Sequence, residues 1–196
     1  MSHVHGTSAD AANRVKSLVA ALEAAHVLTE RDLDAAVESF LINAQPANGA
    51  RVVARAWLDD AFRARLLADG NAAVAELGID LAHWAPVKLR VVANEPHVHN
   101  LIVCTLCSCY PLALLGPSPS WYKSEAYRSR AVRDPRSVLA EFGTQLPAGA
   151  AITVWDSTAE VRYLVLPLRP EGTDGASEAQ LAALVTRNGL IGTALV

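Results

Sequence analysis

The chain of 196 residues changes its hydrophobic period near residue 87, so no single-class fold suits it. Before that point apolar residues recur three and four apart, as on a helix. In the stretch 8–25, Val15, Leu18, Val19 and Leu22 share one side. Thr29 is placed to cap a second predicted helix, with Asp32 at its third position. That helix runs through Leu33, Val37 and Leu41 and stops before Pro46. Residues 45–49 read as a loop from their Pro, Asn and Gly content. Residues 50–77 form a third helical region with a break expected near Gly70, and Gly78 suits the position just past its end.

From residue 87 the pattern alternates. Residues 87–93 read as a strand, 94–96 as a turn and 98–103 as a second strand. Residues 151–155 and 161–166 read as two more, joined by a turn at Asp156, Ser157 and Thr158. Between these groups, 111–120 is loop-like, with three prolines and a glycine. Short helices are predicted at 123–130 and 134–141, the second opened by Asp134-Pro135, a cap followed by proline at the first helical position. Ser177 with Gln180 reads as a capping box for a last helix to Thr186. The apolar residues 190–196 are expected to dock as strand or coil.

Composition narrows the function classes. Hydrophobic residues make up 52% and charged residues 19%, which is a folding chain and not a disordered one. The net charge of −3 argues against a general electrostatic nucleic-acid binder. No apolar run approaches the roughly 18 residues that a membrane span needs. The first residues lack a basic stretch followed by an apolar one, so no secretory signal is expected and the default compartment is the cytoplasm. The stretch 123–136 holds five basic and two acidic residues, best explained by surface ion pairs or contacts to a partner subunit.

All three cysteines fall within six residues, Cys104-Thr105-Leu106-Cys107-Ser108-Cys109. A disulfide framework is therefore excluded as the folding device, and metal or redox chemistry is indicated. Spacing alone leaves three options. His97 or His99 can complete a Cys₃His zinc site. Cys104 and Cys107 can form a thioredoxin-like redox pair, though Pro111 close behind weakens the helix that such a pair opens. Alternatively, a loop this tight can set its own backbone amides against an ion beside the sulfurs. The fold class expected is α+β: a helical N-terminal arm, residues 1–48, on a metal-binding catalytic domain, residues 49–196, with short sheets flanked by helices. The arm either folds back on that domain or grips a partner.

The segment from Val103 to Cys109 resembles the metal claw of the nitrile hydratase α subunit. The resemblance continues through Trp121-Tyr122-Lys123-Ser124, Tyr127-Arg128-Ser129-Arg130, Asp134-Pro135-Arg136, Trp155-Asp156-Ser157-Thr158, Arg162-Tyr163, Arg169-Pro170 and Leu190-Ile191-Gly192. It covers residue 50 to the end, and the helical arm also fits. The resemblance implies a non-corrin cobalt(III) or non-haem iron(III) centre. It makes Cys104 the axial thiolate, Cys107 a sulfinate and Cys109 a sulfenate, with the deprotonated amides of Ser108 and Cys109 as further ligands. Metal ligation thus falls on Cys104, Cys107, Ser108 and Cys109, and the chemistry on Cys107, Ser108 and Cys109. Threonine after the first cysteine marks the cobalt form in that family, so Thr105 argues for cobalt over iron. The implied reaction adds water to a small nitrile to give the amide. The attacking oxygen is either a metal-bound hydroxide or the sulfenate of Cys109.

The implied partners are a β-type subunit, as one or two chains, whose arginines hold the oxidised sulfurs, and an activator or metallochaperone that inserts cobalt. Leu112 departs from the family pattern, which often has tryptophan there, and so reshapes the substrate pocket. The thiocyanate hydrolase γ subunit and the toyocamycin nitrile hydratase type share the claw and fit the same departures. A cobalt-delivery or metal-storage module is the alternative of another class. Trp121 and Tyr122 either line the pocket or pack beneath it. His97 and His99 are structural if the claw supplies five ligands. His3, His5 and the pair His83-Trp84 carry no assigned role.

Overall fold

The structure, a computed structural model, describes residues 8–81, 87–107 and 109–196. Ser108, His3, His5, His83 and Trp84 lie outside the described residues. The chain divides into two units, one ending at Ile42 and the other spanning Asn43–Val196.

In the first unit, α1 (Ser8–Ala24) ends in a Schellman motif with His26 in the left-handed region at φ 55°. Val27 N–H reaches back to Leu22 O, and His26 N–H to Glu23 O. The second helix, α2 (Glu30–Asn43), starts as its sequence predicts. Thr29 N–H donates to Asp32 Oδ2 at 2.7 Å, and Asp32 N–H donates to Thr29 Oγ1 at 3.3 Å. No residue of α2 is buried. Val15, Leu18 and Val37 are each more than half exposed, whereas Val19, Leu22 and Leu33 of the same stripe are half-buried.

The second unit opens with three helices. α3 (Pro46–Leu58) begins where a loop was expected. Pro46 occupies its first turn, and Asn48 is used inside the helix: its amide donates to Ala113 O at 2.9 Å. α4 (Asp60–Ala68) and α5 (Gly70–Glu76) follow. The predicted single helical region is broken twice, each time at an aspartate. Asp59 accepts from Phe62 N–H and Asp69 from Ala72 N–H, so each residue ends one helix and caps the next. Gly70 is needed for close approach, because a Cβ there would lie 2.8 Å from Leu89 O of the neighbouring strand.

Four strands follow the predicted alternation: β1 (Lys88–Ala93), β2 (Val98–Val103), β3 (Ala151–Asp156) and β4 (Val161–Leu166). Neither short turn makes a hairpin. β1 pairs in parallel with β4, Lys88 opposite Val161, and β2 in parallel with β3, Val98 opposite Ala151. Asn94 turns the chain out of the first sheet: its Oδ1 accepts from the N–H of Asn100 at 2.8 Å, and the Asn100 amide reaches back to Ala93 O. Ser157 N–H donates to Val103 O and ends the β2–β3 pair.

Parallel pairing of β2 with β3 demands a crossover. It carries α6 (Leu112–Leu115), α7 (Ser120–Lys123), α8 (Glu125–Ala131) and α9 (Pro135–Glu141). α6 lies inside the stretch expected to be loop. Asp134 caps α9 through Ser137 N–H, as its sequence predicts. The capping box at Ser177 and Gln180 opens α10 (Glu178–Leu184). Thr186 does not end that helix; it caps α11 (Arg187–Ile191), which takes the first residues of the tail expected to be strand or coil. The architecture is α+β: N-terminal helices followed by a mixed domain of short parallel sheets flanked by helices. Its core joins Val52, Val53, Phe62 and Leu66 to Leu101, Ile102, Val103 and Leu164. Among the described residues, no helix is long and apolar enough to cross a membrane.

Candidate metal centre

The crossover begins with the cysteines. Cys104 directly follows β2 and is fully buried, Cys109 is half-buried, and Cys107 and Leu106 are exposed at the tip. Strand ends of parallel sheets are where such folds place ligand sites, because the chain there leaves the hydrogen-bonded ladder. Here the loop folds so that the three sulfurs converge. Cys104 Sγ lies 3.5 Å from Cys107 Sγ, and Cys107 Sγ lies 3.1 Å from Cys109 Sγ. All three ligand atoms are within 4.8 Å of one another, and none of the three cysteines is in a disulfide. These separations exceed a disulfide bond of about 2.05 Å and suit sulfurs around a shared centre.

The surrounding chain supplies the loop's shape. Asp156, at the end of β3, accepts from Thr105 N–H at 2.9 Å and from Thr105 Oγ1 at 2.5 Å. Cys107 N–H donates to Cys104 Sγ at 3.3 Å. From α7, the buried Tyr122 hydroxyl donates to Cys109 O at 3.0 Å. From α8, Tyr127 donates to Ile102 O at 2.6 Å, and Arg128 donates to the carbonyls of Thr105 and Cys107. Trp121 packs against Tyr127 and Phe142, with ring centroids 4.9 and 4.6 Å apart. Tyr122 therefore supports the loop, and Trp121 packs in the aromatic cluster beside it.

His99 is not a fourth ligand. Its Nε2 lies 2.7 Å from Gly192 O and its Nδ1 faces the Asn94 amide, on the core side of β2. Burial holds its pKa below the usual imidazole value, against the opposing hydrogen bond to Gly192. Among the described residues the metal-competent group is Cys104, Cys107 and Cys109 alone. The Cys₃His arrangement allowed by spacing is thus not formed. The C-x-x-C pair likewise opens no helix, which a thioredoxin-like motif needs.

The electrostatics of the cluster call for a cation. Burial, reinforced by the hydrogen bond with Cys107, pushes the Cys109 thiol up to about 12, while Arg162 pulls it the other way. Neighbouring thiolates repel, so a bound metal ion is what allows the three to ionise together, with release of their protons. Sulfur donors select soft or borderline ions. The donor set fits a thiolate-held metal, and Cys104, Cys107 and Cys109 are the residues that would hold it.

Beside Cys109 in the chain, Tyr110, Pro111 and Leu112 line an apolar cleft of about 200 Å³ together with Leu89 and Arg162. The Tyr110 hydroxyl is buried without a partner among the described residues. Two supports escaped the sequence reading. The sequence reads Asp156 as a turn residue and Arg128 as one of a basic run, both also within the segments of family resemblance, but gives neither a role at the loop.

A model of the family described as nitrile hydratase, alpha chain, matches residues 9–194. The cobalt-containing nitrile hydratase subunit alpha of Pseudonocardia thermophila is 48% identical over 180 residues, which is 91% of this chain and 87% of that protein. The thiocyanate hydrolase subunit gamma of Thiobacillus thioparus is 48% identical over 159 residues, 76% of this chain and 65% of that protein. Among solved structures, a double mutant of the Fe-type nitrile hydratase from Comamonas testosteroni Ni1 superposes with a TM-score of 0.90. Its identity is 41%, with 97% of this chain and 92% of that chain covered. With its three converging thiols at the end of a parallel strand, the chain belongs to the nitrile hydratase alpha-chain family and is an enzyme subunit of the hydro-lyase class.

Proposed function

We propose that this chain is the metal-bearing subunit of a cobalt-type nitrile hydratase, which adds water to a nitrile and yields the amide. The observation that carries the proposal is the convergence of Cys104, Cys107 and Cys109 within 4.8 Å, in a chain that the family model matches over residues 9–194. Cobalt is proposed over iron because threonine follows the first cysteine, and a similar alpha subunit is described as cobalt-containing. When bound, non-corrin cobalt(III) supplies Lewis-acid activation of the nitrile carbon–nitrogen bond toward water.

The chain's own residues divide the remaining work. Cys104, fully buried, anchors the ion from the protein side. Cys107 is exposed and Cys109 half-buried, and their proposed oxidation to sulfinate and sulfenate sets charged oxygens on the rim. The backbone amides of Ser108 and Cys109 complete the donor set. The apolar cleft at Tyr110 and Leu112 takes the hydrocarbon part of the substrate and keeps water from it. A β-type subunit covers the rim and supplies cations to the oxidised sulfurs, and the apolar stripe on α1 and α2 is the surface it takes hold of. A cobalt-inserting activator and a cytoplasmic location fit three cysteines held outside any disulfide. Thiocyanate hydrolysis is the second reading. The nitrile reading is favoured because the match spans 87% of a nitrile hydratase alpha subunit against 65% of the thiocyanate hydrolase chain.

The test is to produce the chain with its β-type partner in cobalt medium. Close to one cobalt per chain is expected, with about 48 Da of added mass on the peptide carrying Cys107 and Cys109, and amide formed from a nitrile. A preparation holding only zinc, with reduced cysteines and no amide after cobalt supply, refutes the proposal.

A further inference from the structure

Arg128 stands apart from the other basic residues of its stretch. Exposed Arg130 pairs with Glu141, and exposed Arg136 binds the carbonyls of Leu146, Pro147 and Ala150. Arg128, half-buried, turns instead toward the cysteine loop. Its Nη1 lies 3.3 Å from Thr105 O and 3.4 Å from Cys107 O. Its Nε is buried with no hydrogen-bond partner among the described residues. An arginine normally spends its donors on a carboxylate or on water. Here the side chain gives up hydration at Nε and has no described carboxylate partner. The gain that accompanies this loss is contact with two loop carbonyls.

The base from which Arg128 reaches is fixed. Ser124 caps α8 through Tyr127 N–H at 3.1 Å, and the Tyr127 hydroxyl ties the same helix to Ile102 O, two residues before Cys104. The residue next to Tyr127 therefore projects from a helix already pinned to the strand that leads into the loop. Outside the loop, Asp156 and Arg128 both hold residues of the segment 104–107. Asp156 holds an N–H and a hydroxyl; Arg128 holds carbonyls. Two carbonyls drawn to one guanidinium nitrogen lie on one side of the loop, and the mutual repulsion of their oxygens is offset by the cation between them.

We propose that Arg128 is a positioning residue for the thiol cluster: by holding the carbonyls of Thr105 and Cys107, it keeps the loop curled with its three sulfurs together before any metal arrives. The inference rests on the metal-centre reading above, but its first test needs no metal. Arg128 touches neither substrate nor the reacting atoms and acts through the shape of the loop alone.

The test compares the full-length chain with Arg128→Met and Arg128→Lys. Hydrogen–deuterium exchange of the metal-free chains is followed on the peptide spanning residues 104–109, with the peptides of β2 and α9 as controls. Exchange at the loop is expected to speed up roughly 10–100-fold in Arg128→Met, the effect on local opening of losing charge-assisted hydrogen bonds to two carbonyls, while the controls stay unchanged. Arg128→Lys, which keeps the charge but offers a point donor, should recover part of the protection. The chains are then loaded with cobalt and challenged with a chelator; Arg128→Met should lose the ion faster by a similar factor. Unchanged loop exchange in Arg128→Met overturns the proposal, as does equal acceleration in loop and controls, which would mean general loosening. If Arg128→Met does not fold, Arg128→Lys decides: loop-confined acceleration supports the proposal and wild-type protection overturns it. Failure of the wild-type chain itself to hold cobalt would count against the metal-centre reading and leave the exchange result standing.

Discussion

Replacing Asp156 by alanine should release the cysteine loop without unfolding the domain. Asp156 accepts two hydrogen bonds from Thr105, at 2.9 Å from the backbone N–H and 2.5 Å from the hydroxyl. A hydrogen bond to a charged group contributes about 1.5–3 kcal/mol when desolvated. Asp156 is exposed and Thr105 half-buried, so solvent screening brings the pair down to about 2 kcal/mol in total. At about 1.4 kcal/mol per factor of ten, loop opening becomes roughly 30-fold more frequent. Cys104 supplies the readout. Its thiol is fully buried and meets reagent only when the loop opens, whereas Cys107 is already exposed. Aromatic disulfide reagents, followed by peptide mass analysis on metal-free protein, should label Cys104 about 30-fold faster in Asp156→Ala and Cys107 at an unchanged rate. Asp156→Asn retains an acceptor for the N–H but loses the charge, so it should fall between the two. The reasoning is refuted if Cys104 in Asp156→Ala reacts within about twofold of wild type, or if the Asn and Ala variants behave alike.

Two further outcomes concern the support behind β2. Gly192→Ala should cost at least about 3 kcal/mol in urea unfolding, because the new Cβ would sit 2.0 Å from Asn100 O at a φ of 89°; a midpoint like wild type would contradict the packing. His99 is neutral in the fold because burial disfavours its charge, so below about pH 6.5 the unfolded chain takes up a proton that the folded chain resists. Stability from this residue is therefore complete above that pH and declines as pH falls below it; His99→Gln should flatten the unfolding midpoint between about pH 7 and pH 5, and an identical pH slope would refute the assignment.

Much of the site was legible because its ligands are local. Cys104, Cys107 and Cys109 lie so close in sequence that spacing alone announced a shared centre, and the caps at Thr29, Asp134 and Ser177 follow from side-chain chemistry within four residues. What escaped is long-range. Pro46 reads as a breaker until α6 brings Ala113 O to Asn48 and the same residues become a helix start. The two short turns look like hairpins, since nothing local says that β2 will prefer β3 across 47 intervening residues. For the same reason nothing local assigns Asp156 and Arg128 their contacts to the loop. Their roles are fixed by residues 51 and 23 positions away, respectively.

The crossed strand pairing also sets an order in time. During synthesis the cysteine loop leaves the ribosome ahead of Asp156 by 51 residues, and at about 5–20 residues per second that is roughly 3–10 s. Until then β2 has no partner strand and Thr105 has no carboxylate to hold it. For those seconds the three thiols sit on a floppy tether, open to whichever thiophilic ion or oxidant the cell offers. Only after the last residue of β3 has been made do they become one rigid clasp. A loop shaped to choose its metal therefore exists only once β3 has been made.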